Sequence, residues 1–126
     1  GYASLDRRRD GGGSISAEEL DDLLADPCIS IVLHTDTANG LEHGAGIESA
    51  IPAAWKKHVQ VIRLMSDAPH PTGTFHHADA ADIQRTLGLA IGDCCMVRPD
   101  GYIALYCDAT KADAITRWLE SIGRSD

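Results

Sequence analysis

A tight turn between two apolar segments constrains the fold of this chain more than any other feature. Residues 97–104 read Val-Arg-Pro-Asp-Gly-Tyr-Ile-Ala. Pro99 fixes φ at the first corner of a turn, the Asp100 side chain can bond to nearby backbone, and Gly101 takes the positive φ that closes a hairpin. The sequence therefore predicts two antiparallel strands, over roughly residues 93–98 and 102–107.

Length and charge favour a single globular domain. A chain of 126 residues, 44% of them hydrophobic, can bury a core without metal or disulfide bonds. Residues 1–14 contain three consecutive arginines and three consecutive glycines and are typical of a flexible tail, so the domain is expected over residues 15–126. The net charge of −8 argues against a nucleic-acid partner. No apolar run approaches the roughly 18–20 residues that cross a bilayer, so we expect a cytoplasmic protein with no membrane partner.

Helix and strand signals follow one another in the first half of the domain. Ser16 and Glu19 form a capping box for a helix over residues 17–25. Two short apolar segments rich in β-branched residues, 28–34 and 59–65, are predicted to be buried strands.

A second helix is predicted between these two strands, after a polar segment at residues 35–43. It is expected to end near His58, with a kink at Pro52 because proline removes a helical hydrogen bond. Its apolar face consists of Ile47, Ala50, Ile51, Ala54 and Trp55.

The second half of the domain is predicted to hold a loop, a short helix, the hairpin and a last helix. The loop covers residues 66–77, and either Asp79 or Asp82 caps the short helix, which Gly88 ends. Thr110 is the expected cap of the last helix. The buried face of that helix is predicted to contain Ala114, Ile115, Trp118, Leu119 and Ile122.

The element order after the first helix is therefore β-α-β-α-β-β-α. A β-α-β unit makes two parallel strands with a right-handed crossover, and the hairpin adds two antiparallel strands. We expect an α/β fold with a mixed four-stranded sheet, helices on both faces and an extra N-terminal helix. This is the element order of thioredoxin-like domains.

The hairpin also carries a family resemblance. Residues 94–104, Cys-Cys-Met-Val-Arg-Pro-Asp-Gly-Tyr-Ile-Ala, resemble the hairpin near the C-terminus of FAD-dependent aromatic hydroxylases of the phenol 2-monooxygenase type. Leu-Asp-Asp-Leu-Leu at residues 20–24, followed by the apolar strand at 29–33, is also similar to that family. The family often has Trp-Arg where this chain has Leu105-Tyr106. Its C-terminal domain is thioredoxin-like, which agrees with the element order.

The resemblance implies a non-catalytic domain with a structural or oligomerisation role. FAD and NAD(P)H would be bound by other domains of a parent monooxygenase, because the Gly-rich flavin-binding unit is not among these residues. The expected partners are the flavin-binding domain of that parent and a second copy of this chain. No residue is assigned a catalytic, cofactor-binding or metal-binding role.

The cysteines do not fall where a thioredoxin-like redox centre requires them. Such a centre needs two cysteines separated by two residues at a helix N-terminus, where the helix dipole lowers the pKa of a thiol. If Pro52 corresponds to a kink proline of thioredoxins, the two positions are Gly44 and Ile47. Counting from the end of the first strand places them within residues 35–38. Neither choice contains a cysteine.

Three of the four cysteines lie in the predicted hairpin instead. If Arg98 faces Gly101, then Cys94 faces Leu105, and Cys107 lies diagonally beside Cys94 on the same face. In a reducing cytoplasm we expect all four thiols to be free.

Two further groups of residues have the right types for a binding site but the wrong spacing. His70, His76 and His77, with Asp79, offer the ligands that zinc prefers, yet their spacing matches no familiar site, so a solvated loop is expected. Residues 44–46, Gly-Ala-Gly, suggest a phosphate cradle, but the third small residue of a dinucleotide fingerprint is missing.

A lone arginine at the turn is a further candidate. The Arg98 guanidinium is suited to an anion, and a salt bridge with Asp93 or Asp100 is the simpler expectation.

Three functions remain open from the sequence. The first is the non-catalytic module described above. The second is a stand-alone thiol oxidoreductase that uses Cys94, Cys95 or Cys107. The third is a protein-binding module that uses the loops at residues 35–43 and 66–77. An assembly role predicts exposed apolar area at a sheet edge, and the second strand of the hairpin is the candidate edge.

Overall fold

The computed structural model describes residues 16–24, 28–68 and 75–122, so the predicted tail at residues 1–14 lies outside the described residues. Within these ranges the helices are α1 (Ala17–Leu24), α2 (Gly40–Ala50), α3 (Ala80–Leu87) and α4 (Asp113–Ser121). The strands are β1 (Ile29–Thr35), β2 (Val59–Met65), β3 (Phe75–His77), β4 (Asp93–Val97) and β5 (Ile103–Asp108). Short 3-10 helices cover Ala53–Trp55 and Ala109–Lys111.

The strands form one mixed sheet in the order β3-β2-β1-β4-β5. β1 pairs in parallel with β2 and antiparallel with β4, and β5 completes the hairpin with β4. The predicted mixed sheet is confirmed, but it has five strands rather than four. The additional strand, β3, lies in the segment predicted to be a loop and pairs in parallel with β2. With only three residues, β3 is too short to show an alternating pattern.

Helices pack on both faces of the sheet, as expected. One face carries α1 and α3 and buries Leu20, Val32, Ile62, Leu64 and Ile83. The other face carries α2 and α4 and buries Ile31, Leu33, Ile47, Ile115 and Leu119. Strand β1 contributes to both cores, which explains its nearly continuous apolar run.

The helix after β1 differs from the prediction at both ends. It begins at Gly40, inside the segment predicted to be polar loop, and ends at Ala50. The kink predicted at Pro52 is wrong, because the helix has already stopped there. Proline disfavours helical geometry in the residue before it, and Ile51 is extended with φ −85° and ψ 116°. Pro52 then opens the separate 3-10 helix.

The predicted capping box of α1 and the predicted end of α3 at Gly88 are confirmed, whereas Asp79 stands at the N-cap of α3 without a side-chain cap hydrogen bond. Ser16 N donates to Glu19 Oε1 over 2.9 Å, and Glu19 N donates to Ser16 Oγ over 3.1 Å. Gly88 ends α3 with φ +66°.

The expected cap at Thr110 is wrong. The Thr110 N–H donates to Asp108, which caps the 3-10 helix Ala109–Lys111, and α4 begins only at Asp113. Ile122 lies past the end of α4 and is 47% exposed, so it does not belong to the buried face. Within the described residues, every helix is too short or too polar to traverse a lipid bilayer.

Candidate functional site

The register of the β4–β5 hairpin brings two cysteines face to face. Arg98 N donates to Tyr102 O over 2.8 Å, so Arg98 pairs with Tyr102 rather than with Gly101. Opposite Met96 and Val97, β5 contains one extra residue, Ala104, and this bulge shifts the pairing by one further residue. Cys94 consequently lies opposite Cys107, and the expectation that it faces Leu105 is wrong. A shift of two residues preserves the face on which each side chain lies, so both thiols stay on the α2–α4 face.

The two sulfur atoms are in direct contact. Cys94 Sγ and Cys107 Sγ are 2.9 Å apart and form a hydrogen bond between two free thiols. Cys94 is fully buried next to Leu33 of β1, whereas Cys107 is only partly buried on β5, at the edge of the sheet. Solvent therefore has access to one member of the pair, and the core encloses the other.

The contact separates the pKa values of the two thiols. When Cys107 is ionised, the Cys94 S–H donates to it, and this hydrogen bond lowers the pKa of Cys107, against burial and nearby carboxylates. The same hydrogen bond, together with burial, raises the pKa of Cys94. Because the thiolate is the nucleophilic form, Cys107 is the more readily ionised thiol of the pair and Cys94 its hydrogen-bond donor.

The remaining cysteines do not join this pair. Cys95 lies on the opposite face of β4, in the core with Val32, and burial raises its pKa to about 12. Cys28 precedes β1, at the opposite end of that strand from Leu33, the neighbour of Cys94. Cys94 and Cys107 are thus the two cysteines that the fold places together.

A polar network occupies the position where a helix N-terminal redox centre would lie. The loop at residues 36–39 joins β1 to α2, which agrees with the count from the end of the first strand. Asp36 Oδ1 accepts from Asn39 N over 2.9 Å and from Asn39 Nδ2 over 3.0 Å. Thr37 N and Thr37 Oγ1 donate to Asp67 Oδ2 over 3.1 Å and 3.0 Å. The backbone hydrogen bond from Thr37 is the main cause that lowers the pKa of Asp67.

Two histidines near this loop make side-chain contacts that local spacing did not reveal, and those of His34 are distant in sequence. His34 is buried, and its ring bonds to Leu89 O over 3.1 Å and to Ser66 Oγ over 2.8 Å. His43 Nδ1 lies 2.9 Å from the hydroxyl of Thr35. The partners of His34 are 55 and 32 residues away in sequence, so no motif could have identified them. Both contacts tie the end of β1 to neighbouring segments.

The structure locates part of the histidine cluster and all of the Gly-Ala-Gly segment. Within the described ranges, no group of three or more His, Cys, Asp or Glu residues can hold a metal ion, and His70 lies outside them. The Gly-Ala-Gly segment is inside α2, not in a loop after a strand. A Cβ on Gly44 would lie 3.3 Å from Arg63 Nε, so the absence of a side chain lets α2 pack closely on the sheet.

Arg98 forms the expected salt bridge. Its guanidinium lies 2.8 Å from Asp100 Oδ2 and 5.4 Å from the centre of the Tyr102 ring. These contacts account for Arg98 without an anion.

Comparisons with known proteins identify the fold. No protein-family model and no curated protein matches the sequence. Among solved structures, Trxlp from Edwardsiella tarda EIB202 aligns with a TM-score of 0.56 at 12% identity over 85% of this chain and 96% of that one. The N-terminal domain of PilB from Neisseria gonorrhoeae aligns with a TM-score of 0.51 at 14% identity, over 81% and 86% of the two chains. Trgpx in its apo form aligns with a TM-score of 0.52 at 12% identity, over 79% and 84%.

At these identities the likeness concerns the fold alone. The chain has a thioredoxin-like fold, as its element order predicted.

Proposed function

We propose that this domain carries out thiol–disulfide exchange through the cross-strand pair Cys94 and Cys107. The observation that carries the proposal is the 2.9 Å contact between the two sulfur atoms. Contact of this kind puts both thiols within reach of one intramolecular disulfide, with one thiol accessible and one buried. The fold adds an argument by analogy, since thioredoxin itself exchanges thiols and disulfides.

The proposed reaction has two steps. The Cys107 thiolate attacks one sulfur of a substrate disulfide, that S–S bond breaks, and the first substrate thiolate leaves and takes a proton from water. Cys94 then gives up its proton to solvent and attacks Cys107 Sγ. The mixed disulfide breaks, and the second substrate thiolate leaves. In sum, one substrate disulfide is reduced to two thiols while Cys94 and Cys107 are oxidised to one disulfide.

The difference in burial between the two cysteines sets the order in which they react. Cys94 is enclosed by the core, so a substrate reaches Cys107 first. Cys94 is already in contact with the sulfur it must attack, which makes the second step intramolecular. Cys107 is therefore the nucleophile and Cys94 the resolving thiol.

The experiment is oxidation of the reduced chain by the neutral disulfide hydroxyethyl disulfide. We expect the thiol count in denaturant to fall from four to two, and peptide mapping to join Cys94 to Cys107. In Cys94→Ser the reaction should stop at a mixed disulfide on Cys107, and in Cys107→Ser no intramolecular disulfide should form. Cys28→Ser is the matched control and should behave like the unchanged chain. If the unchanged chain keeps four thiols, or if the disulfide joins other cysteines, the proposal fails.

A second candidate function is an assembly module like the C-terminal domain of a flavin-dependent aromatic hydroxylase. One observation favours it. β5 lies at the edge of the sheet, and Tyr102 and Tyr106, beside and within it, are 64% and 51% exposed. The partner in this case is a second copy of the chain or the flavin-binding domain of a parent enzyme. FAD and NAD(P)H would bind to that other domain.

A further inference from the structure

We propose that the cross-strand dithiol selects its substrate by charge and reacts faster with cationic disulfides than with anionic ones. The inference rests on the proposed function, because it names the class of substrate that the same site takes. The preferred substrate is a disulfide flanked by amines or by Lys and Arg side chains.

Paired carboxylates stand next to the two cysteines in the ladder; because side chains alternate along a strand, they start from the opposite face and act on the sulfur atoms through space. Asp93 precedes Cys94 and Asp108 follows Cys107, and the two aspartates lie opposite each other in the next pair of the β4–β5 ladder. Asp108 also caps the following 3-10 helix through Thr110, which holds its carboxylate close to this end of the hairpin. Two carboxylates therefore lie one residue away from the sulfur pair, and contacts with Thr110 hold that of Asp108 in place.

A third carboxylate adds to this field. Asp113 is the first residue of α4, and with Asp93 and Asp108 it opposes the ionisation of Cys107. Nearby cations offset part of the field, since Arg117 pairs with Asp113 and Lys111 acts on Asp108. The chain as a whole carries a net charge of −8. An approaching anionic disulfide is therefore repelled both at long range and at the site.

The carboxylates near the cysteines are expected to change the rate at which a charged substrate approaches Cys107. Charges lining the entry to a site change association rates by factors of about ten or more at low ionic strength, and salt screens the effect. A cationic disulfide should accumulate next to Cys107, and an anionic one should be excluded from it. A neutral disulfide should react at an intermediate rate.

The test compares three disulfides on Cys94→Ser, in which only the attack by Cys107 takes place. Cystamine is cationic, hydroxyethyl disulfide is neutral and glutathione disulfide is anionic. Peptide mapping measures the rate of adduct formation on Cys107. This rate is divided by the rate at which the same reagent reacts with free 2-mercaptoethanol, which corrects for the intrinsic reactivity of each disulfide. We expect cystamine to exceed glutathione disulfide by on the order of tenfold at low salt. The ratio should fall toward unity in ~1 M sodium chloride, where the Debye length is about 3 Å.

Charge variants locate the effect. Asp93→Asn should reduce the ratio, because it removes a carboxylate next to Cys94 without removing the cap made by Asp108. Asp22→Asn removes an exposed carboxylate from α1, against the other face of the sheet, and should leave the ratio unchanged.

Three equal normalised rates, or a ratio that does not respond to salt, would overturn the charge selectivity while leaving the dithiol chemistry intact. A Cys107 that reacts with none of the three reagents would instead overturn the proposed function.

Discussion

Single residues in this fold acquire their properties from neighbours that are distant in the sequence. Cys107 owes its lowered pKa to Cys94, which is 13 residues away, and His34 bonds to a carbonyl 55 residues away. Residue type alone indicates that a thiol is nucleophilic when ionised. Which thiol ionises first depends on the hydrogen bond that folding creates.

The carboxylate of Asp67 makes the stability of the loop after β1 dependent on pH. Hydrogen bonds from Thr37 lower the pKa of Asp67 in the folded state. The resulting stabilisation is fully present above the unfolded pKa of about 4 and is lost as the pH falls through the folded pKa. We expect the Tm of the unchanged chain to drop more steeply below pH ~4 than the Tm of Asp67→Asn. Asp22→Asn is the control, and identical pH profiles for all three chains would contradict this assignment.

Secondary-structure elements follow the sequence closely where the capping and turn residues that end one element and begin the next lie within the same short segment. The turn is confirmed in detail: Gly101 N donates to Arg98 O over 2.8 Å, and Asp100 Oδ1 accepts from Tyr102 N over 3.0 Å. The bulge in β5 leaves no comparable signal in the sequence. The pairing of Arg98 with Tyr102 and the extra residue in β5 together place Cys94 opposite Cys107, and the turn motif alone predicts neither.

Two glycine substitutions should change stability in opposite directions. Gly101 has φ +88°, so Gly101→Ala forces a side chain into a left-handed conformation and should cost about 1–2 kcal/mol in the free energy of unfolding. Gly46 lies in α2 with no neighbouring atom within 4 Å of an added Cβ. Gly46→Ala should therefore stabilise the chain by about 0.5–1 kcal/mol, because alanine favours the helix. Urea denaturation measures both, and equal signs would contradict the assigned backbone roles.

At the scale of the whole molecule, the sheet exposes one edge next to the hairpin. Among the described strands, β5 is an edge strand that pairs only with β4, as the sequence predicted for the second strand of the hairpin. Edge strands offer unpaired backbone groups to other chains, and exposed tyrosines add apolar area. The proposed dithiol site and this edge share β5, so a partner bound at the edge would also approach Cys107.

Self-association is the whole-molecule prediction that tests the assembly role. If the β5 edge joins two copies, sedimentation velocity should show a dimer that Tyr102→Ser weakens by removing apolar area from the interface. Leu41→Ser changes an 84% exposed side chain on α2 and should leave the dimer intact. A monomer at every concentration, or equal effects of the two substitutions, would argue against assembly through this edge.

The sequence by itself determined the α/β class, the thioredoxin-like order of elements and the Pro-Asp-Gly turn, because apolar periodicity, caps and turn residues act over a few positions. It also determined that no cysteine stands at the start of α2. The tertiary structure decided that β3 joins the sheet, that α2 stops before Pro52 and that Cys94 meets Cys107. Strand pairing and burial bring together residues that are far apart in the chain, so the contacts that stabilise these features cannot be identified from any one short segment.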